Sequence, residues 1–281
     1  MARERSGRTI AHLVLATRLK TLREAAGISR EEAAGALGAH VATVRRIERA
    51  ATSLDGNQVH TLLRTYGAGT AEIEEILGQL VIANLPGWWH PWRSVMDAWQ
   101  LDLMSVESAA RIIRVWEPAL VPALLRTPAY ARAVDNVRRP DLSSADNDRR
   151  AELLVERQQR LRQQNTYLWA VMSAAALHTS VGGESVMAEQ RQALRAAVER
   201  PDVTLQIYPL DGPCHVMTGM PTITMYRVDV PGVPDHVVRE GDLHGRAEVL
   251  SGLREVSAYH VLLDHASVLA PHPDDSKEAL S

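Results

Sequence analysis

Between Gly27 and Ala50 the sequence reads GISREEAAGALGAHVATVRRIERA, and the spacing of its small and apolar residues leaves few ways to fold it. Ser29 precedes Arg30-Glu31-Glu32, so its hydroxyl can cap a helix while Glu32, three residues on, closes a capping box. That helix should end near Leu37-Gly38, and a second should run over 41–49 with Val44 and Ile47 inward and Thr43, Arg45, Arg46 and Arg49 pointing elsewhere. Two helices this short must cross closely to bury anything. A close crossing needs a small contact residue and a turn that tolerates left-handed backbone; Ala34 and Gly38 supply them. Upstream, Ile10, Leu13, Val14, Ala16, Leu19, Leu22 and Ala26 recur at helical spacing until Gly27 stops the run.

Charge separates this segment from the remainder. The net charge of -3 hides a first fifty residues with ten Lys/Arg against five Asp/Glu, which leaves everything after them at -8. A polyanionic partner should therefore meet the N-terminal part. The arm bearing Arg3, Arg5 and Arg8 could follow such a polyanion, although short charged termini more often do no such work.

The segment 27–50 resembles the repressor-type (XRE, or Cro/C1) helix-turn-helix family, on apolar residues at Ala33, Leu37, Ala39, Val44 and Ile47 around Ala34 and Gly38. The resemblance implies a five-helix DNA-binding domain over 1–83, with helices four and five at 55–66 and 71–83. Arg30 matches a position that touches phosphate. Val41, Ala42, Thr43, Arg45 and Arg46 match the groove-facing side of the recognition helix, with Arg49 beyond them. Arg45 or Arg46 is expected to read a base, because a guanidinium can fork onto guanine O6 and N7. Arg23 and Glu48 match a structural salt bridge between helices one and three. The glycine that commonly follows the family's final Glu-Arg is Ala50 here.

After Ala83 the texture changes to NLPGWWHPWRSVMDAWQ, where Trp88, Trp89, Trp92 and Trp99 crowd around two prolines, as at a domain boundary or an aromatic pocket. Residues 106–116, 128–137, 148–165 and 184–199 read as helices, and 245–269 as a last long one. Residues 167–173, VTLQIYPL, PTITMYRV and HVVRE read as short strands between Gly and Pro turns. The expected fold is thus mainly α: the five-helix domain followed by an α+β domain, 84–281, with a small sheet. This second part resembles the Scr1-type, antitoxin-like regulators with a DUF5753-type domain. The resemblance rests on Trp88-Trp89, Glu107-Ser108-Ala109-Ala110, the block VPALLRTPAYA from Val121, Arg157-Gln158, Val181-Gly182-Gly183, Met187, Gln190, Gln206-Ile207-Tyr208-Pro209 and Glu240. The chain departs from that pattern at Ala123, Arg126, Ala174 and Pro221. The resemblance implies a small partner protein encoded nearby.

Chemistry-bearing constellations are few. Cys214 is the sole cysteine, which excludes an intramolecular disulfide and a cysteine zinc cage. Cys214-His215 lacks an orienting acid, and His260 and His265 are five apart, the wrong spacing for a helical zinc pair. There is no phosphate loop and no nucleophile elbow, so no catalytic residue, metal or cofactor is expected. No apolar run approaches the roughly 20 residues of a membrane span and no secretory leader stands at the start, so the expected location is the cytoplasm. Trp88, Trp89, Trp92, Glu107 and Glu240 are the candidates for a ligand or partner pocket. Together these features point to a DNA-binding transcriptional regulator, expected to be a homodimer on a pseudo-palindromic double-stranded operator, whose second domain senses a partner or ligand. The alternatives are an antitoxin-like protein that neutralises a small partner, and a metabolite sensor or enzyme built on the tryptophan-rich region.

Overall fold

The computed structural model describes residues 9–51, 54–241 and 246–280, so the basic arm at Arg3, Arg5 and Arg8 lies outside the described residues. The chain forms two compact units: Met1–His90 with Val230–Val233, and Pro91–Asp229 with Pro234–Ser281. The first therefore continues to His90, past the Ala83 boundary expected from composition.

Among its described residues the first unit has five α-helices: α1 (Ile10–Ala25), α2 (Arg30–Ala36), α3 (Val41–Glu48), α4 (Gly56–Thr65) and α5 (Thr70–Ala83). Three of the starts have a side-chain cap. Thr9 caps α1 with His12 completing a capping box, Ser29 and Glu32 do the same for α2, and the Asp55 carboxylate accepts from Asn57 and Gln58 to start α4. Leu15, Leu19, Ala33, Val44, Ile47, Leu62, Leu63 and Ile76 close a single core. Within α1 the buried positions are Leu15, Ala16 and Leu19, while Leu13 and Val14 are only half-buried. Arg18 ties α1 to α5 through Glu72 and Glu75.

The second unit is built on one six-stranded sheet. Its elements in chain order are α6 (Ala98–Ser108), β1 (Ala110–Glu117), α7 (Pro128–Arg138), α8 (Ser144–Gln163), β2 (Tyr167–Ser173), α9 (Ala175–His178), α10 (Glu184–Val198), β3 (Val203–Tyr208), β4 (Ile223–Val228), β5 (His236–Glu240), β6 (Ala247–Leu250), α11 (Leu253–Leu269) and α12 (Pro273–Ala279). Strand order is β3-β2-β1-β4-β5-β6. The first three strands run parallel, joined by helical crossovers; β4 pairs antiparallel with β1, and β5 and β6 continue the sheet, each antiparallel to the strand before it. One face carries Trp116, Ile223, Met225 and Val237 against Val256, Leu263 and Ala266 of α11. Arg114 also lies on this face; its guanidinium is 5.0 Å from the Trp169 ring centre, bonded to Asp264 and Ser267.

Two expectations fail here. The helix read over 106–116 is the end of α6 followed by β1, the strand paired on both sides at the centre of the sheet. Arg111 and Arg114 three apart imitate an amphipathic helix. The β-branched and aromatic Ile112, Ile113, Val115 and Trp116 decide otherwise, because a central strand buries both faces and loses strict alternation. Likewise the helix read over 245–269 begins only at Leu253, after β6, an edge strand too short and too exposed to show a pattern. By contrast, β2 occupies the residues read as a strand.

Ile113 is fully buried between β2 and β4. The I113A variant should lose about 2–5 kcal/mol by transfer and cavity terms together, read as the shift in urea midpoint of the second unit. A loss below about 1 kcal/mol would contradict its central placement.

Candidate functional site

The crossing of α2 and α3 is set by the turn between them. Gly38 has φ +59°, and the Ala39 amide donates to Ala34 carbonyl oxygen at 2.9 Å while that of Gly38 donates to Gly35 at 3.0 Å. This six-to-one pair closes α2 in a Schellman motif and aims α3 away from it. Ala33 and Ala34, both buried, let the helices approach. On α3 each residue advances about 100°, which puts Ala42, Arg45, Arg46 and Arg49 within an arc of about 100°. All four are exposed. Val44, Ile47 and Glu48 face the other way and are buried; Val41 and Thr43 sit at the flanks, half-buried. Arg45, Arg46 and Arg49 have no hydrogen bond or ion pair among the described residues.

Glu48 is the anchor of this arrangement. It is 3% exposed, with Arg23 Nε at 2.5 Å from Oε1 and Arg30 Nε at 2.8 Å from Oε2. Arg23 also donates to Ile28 carbonyl oxygen, so one carboxylate joins α1, the start of α2 and the end of α3. Burial alone would raise the Glu48 carboxyl; the hydrogen bonds from Arg23 and Arg30 outweigh it and hold it below its ordinary range. Arg30 is thereby fixed through Nε, and its terminal nitrogens have no partner among the described residues. Ala50, where the resembling family has glycine, takes φ +49°, so the loop keeps the left-handed turn despite the substitution.

The second unit holds a cavity of about 410 Å³ between the sheet and α6, α7 and α8. Val115, Thr224, Tyr226 and Val238 form its sheet wall, and Leu103, Met104, Val134 and Leu154 its helical wall. Glu240 lines it, with Arg138 at 3.5 Å. Glu107 sits behind the wall, 2% exposed, held by a fork of two 2.7 Å bonds from Arg157 and a 3.4 Å bond from the Tyr226 hydroxyl. Trp88, Trp89 and Trp92 are not among the lining residues, whereas Trp99 is. Trp88 and Trp89 pack edge to face at 5.8 Å.

The segment 121–127 forms one shoulder of the cavity and is clamped by buried polar side chains. Gln190 accepts from the Thr127 amide and donates to Leu125; Gln158 donates to Leu124 and Arg126; the Tyr130 hydroxyl accepts from the Val121 amide. Glu117 accepts from the Ala119 and Leu120 amides and from the Thr222 hydroxyl. Burial pushes the Glu117 carboxyl up, against the pull of Arg126. Arg126, singled out in the sequence only as a departure from the family pattern, and Arg138, not singled out at all, both line the cavity though neither is among the expected pocket residues. The available signal was an arginine enclosed between Pro122 and Pro128 in an apolar block.

Comparison with family models gives two matches. Residues 100–281 match the domain of unknown function DUF5753, about two thirds of the chain. The chain belongs to the DUF5753 family. Residues 14–76 match a helix-turn-helix domain, which supports a DNA-binding regulator. No curated protein and no solved structure matches the chain. In the DUF5753 domain the residues on which the resemblance rested are largely this clamp and its supports: Glu107 with Arg157, Gln158, Gln190, Tyr130, and Gln206, which donates to Ser267 and Pro271. Among the described residues no helix is long and apolar enough to cross a membrane.

E48Q removes the charge shared by two guanidiniums, one of them almost fully buried, and should destabilise the first unit by about 3 kcal/mol at neutral pH. The sign of the pH effect follows from the lowered folded value. The stabilisation is complete above the ordinary 4.5 and is lost as pH falls through the folded value. Thermal melts from pH 7 to 3 should therefore show a shallower acid limb in E48Q than in the parent; parallel limbs would exclude Glu48 as its source.

Proposed function

We propose that the chain is a sequence-specific DNA-binding transcriptional regulator, not an enzyme, acting in the cytoplasm as a homodimer. In this reading α3 lies in the major groove, with Arg45 or Arg46 forked onto a guanine edge and Ala42 or Thr43 against a thymine methyl. Val41 flanks the groove face, and Arg49 and the terminal nitrogens of Arg30 reach phosphate. Two copies take half-sites of a pseudo-palindromic operator about one helical turn apart. The observation that carries the reading is the division of labour on α3: Arg23 and Arg30 satisfy its one carboxylate, Glu48, and Arg45, Arg46 and Arg49 stand exposed on a single face. Val81, Ile82 and Leu85, exposed together at the end of α5, support self-association. The DUF5753 domain is assigned dimerisation and the sensing of a ligand or of a small protein encoded nearby. Its cavity supports the ligand role, and the pairing of Glu107 with Arg157 and of Asp97 with Arg139 supports structural over catalytic carboxylates.

Genome-wide mapping of bound sites followed by titration on the recovered operator tests this reading. Affinity should fall steeply with salt, each neutralised phosphate adding about -0.9 to the slope of log K against log salt; a flat response would refute it. R46A should relax preference at one base position at a cost of about 1–3 kcal/mol, and R30A should weaken every sequence alike. Equal loss on all sequences for both would reassign Arg46 to phosphate.

A further inference from the structure

We propose that the cavity of the second unit binds a small organic carboxylate, with the anionic group on Arg126 and Arg138 and the apolar body against Leu103, Val134 and Leu154. This deepens the ligand role given above and depends on it only for its regulatory meaning. A volume of about 410 Å³ falls within the range of small-molecule sites.

The chemistry of the occupant follows from which arginines are already satisfied. Arg157 on Glu107 and Arg139 on Asp97 are forked pairs, and Arg150 is held by Asp135 and by Val95 carbonyl oxygen. Arg126 is different. Its side chain is 13% exposed, its Nε donates to Val121 carbonyl oxygen at 2.7 Å, and its terminal nitrogens meet only Glu117 at 3.7 Å. Glu117 is held in its present position by Ala119 and Leu120 on one oxygen and Thr222 on the other, which leaves Arg126 beyond hydrogen-bond distance of it. Arg138 has only the 3.5 Å approach to Glu240. Arg126 therefore presents donors to the cavity that no described protein acceptor fills, and such donors are costly to enclose without a partner. Arg138, half exposed, places a second guanidinium at the same cavity, and Arg246, the sixth of the lining, is exposed to water.

The charge balance selects the sign. The lining holds six arginines against Asp97, Asp135 and Glu240; with Glu107 and Glu117 behind the wall an excess of one positive charge remains. A cation is disfavoured, and a carboxylate can fork onto a guanidinium in the geometry that suits both. The clamped segment 121–127 holds Arg126 in place before any ligand arrives, so little ordering remains to be done on binding.

The test is calorimetric titration of the full chain with decanoate, 4-phenylbutyrate and indole-3-acetate, each beside its primary amide. At least one carboxylate should bind one to one, with its amide weaker by about tenfold or more, the worth of a charge-assisted hydrogen bond. R126Q and R138Q should each weaken it by about tenfold. A131L should abolish binding by filling the cavity from α7, with the melting temperature kept within a few degrees. Arg138 is half exposed, so R138Q decides the matter even if R126Q fails to fold. The proposal is overturned if no carboxylate binds, if acid and amide bind alike, or if R138Q and A131L leave binding unchanged. DNA is absent from this measurement, so its failure leaves the operator reading intact, and loss of the operator reading leaves the cavity intact.

Discussion

A guanidinium keeps its proton at every accessible pH, so each of the 29 arginines must meet a carboxylate, a carbonyl, water or a ligand. With only Lys20 and Lys277 beside them, almost all of the chain's positive charge at neutral pH is carried by arginine. Both units are arranged around this constraint. In the first, Glu48 takes two arginines and fixes three helices, and the opposite face of α3 is left cationic. In the second, forked pairs such as Arg157 on Glu107 and Arg139 on Asp97 tie α8 to α6, and the end of α7 to the start of α6. What remains unmatched by protein groups stands open to water or to a ligand.

How much of this was legible depended on the range of the cause. The five helices of the first unit follow from local signals: the Ser29 and Glu32 box, the Gly38 turn and apolar residues at helical spacing, all within a few positions. The α3 face is legible for the same reason. α7 and α8 start on the caps Thr127 and Ser143, α10 follows Gly182-Gly183, and β2, β3, β4 and β5 are β-branched runs bounded by turns. β1 was not legible. Its two-sided burial arises from pairing with β2 more than fifty residues on and β4 more than a hundred on, and nothing within 106–117 encodes those partners.

The cavity was hidden by the same separation. Glu117 meets Thr222 across 105 positions, and Glu107 meets Tyr226 across 119, so no window along the chain brings the two walls together. The tryptophan cluster drew attention because four large rings stand close in sequence, yet of these only Trp99 lines the cavity. Glu240 does line it, and Glu107 supports its wall from behind. The residues of the VPALLRTPAYA block carry the resemblance because the fold needs them to hold one loop rigid, which is a structural requirement that recurs in sequence whatever the site beside it binds. Arg126 lies inside that block and departs from its pattern, so the scaffold and the specificity of the site are separable within seven residues.

That separation bears on how such a site could control DNA binding. A ligand shifts a conformational equilibrium only by the ratio of its affinities for the two states, and an occupant held solely by a rigid shoulder binds both alike. The shoulder at 121–127 is over-determined by Gln158, Gln190, Tyr130 and Glu117 and has no second arrangement close at hand. If the cavity responds to an occupant, the adjustable half would be the wall opposite, where the end of α7 carries Arg138 on a loose pair with Glu240 at the end of β5. A carboxylate that bridges Arg126 to Arg138 joins the fixed wall to the adjustable one, and the coupling it can deliver is bounded by what that second contact adds. Under the proposed ligand role, recognition would rest on Arg126 and response on Arg138, and a ligand that satisfied only the first would occupy the cavity without regulating anything.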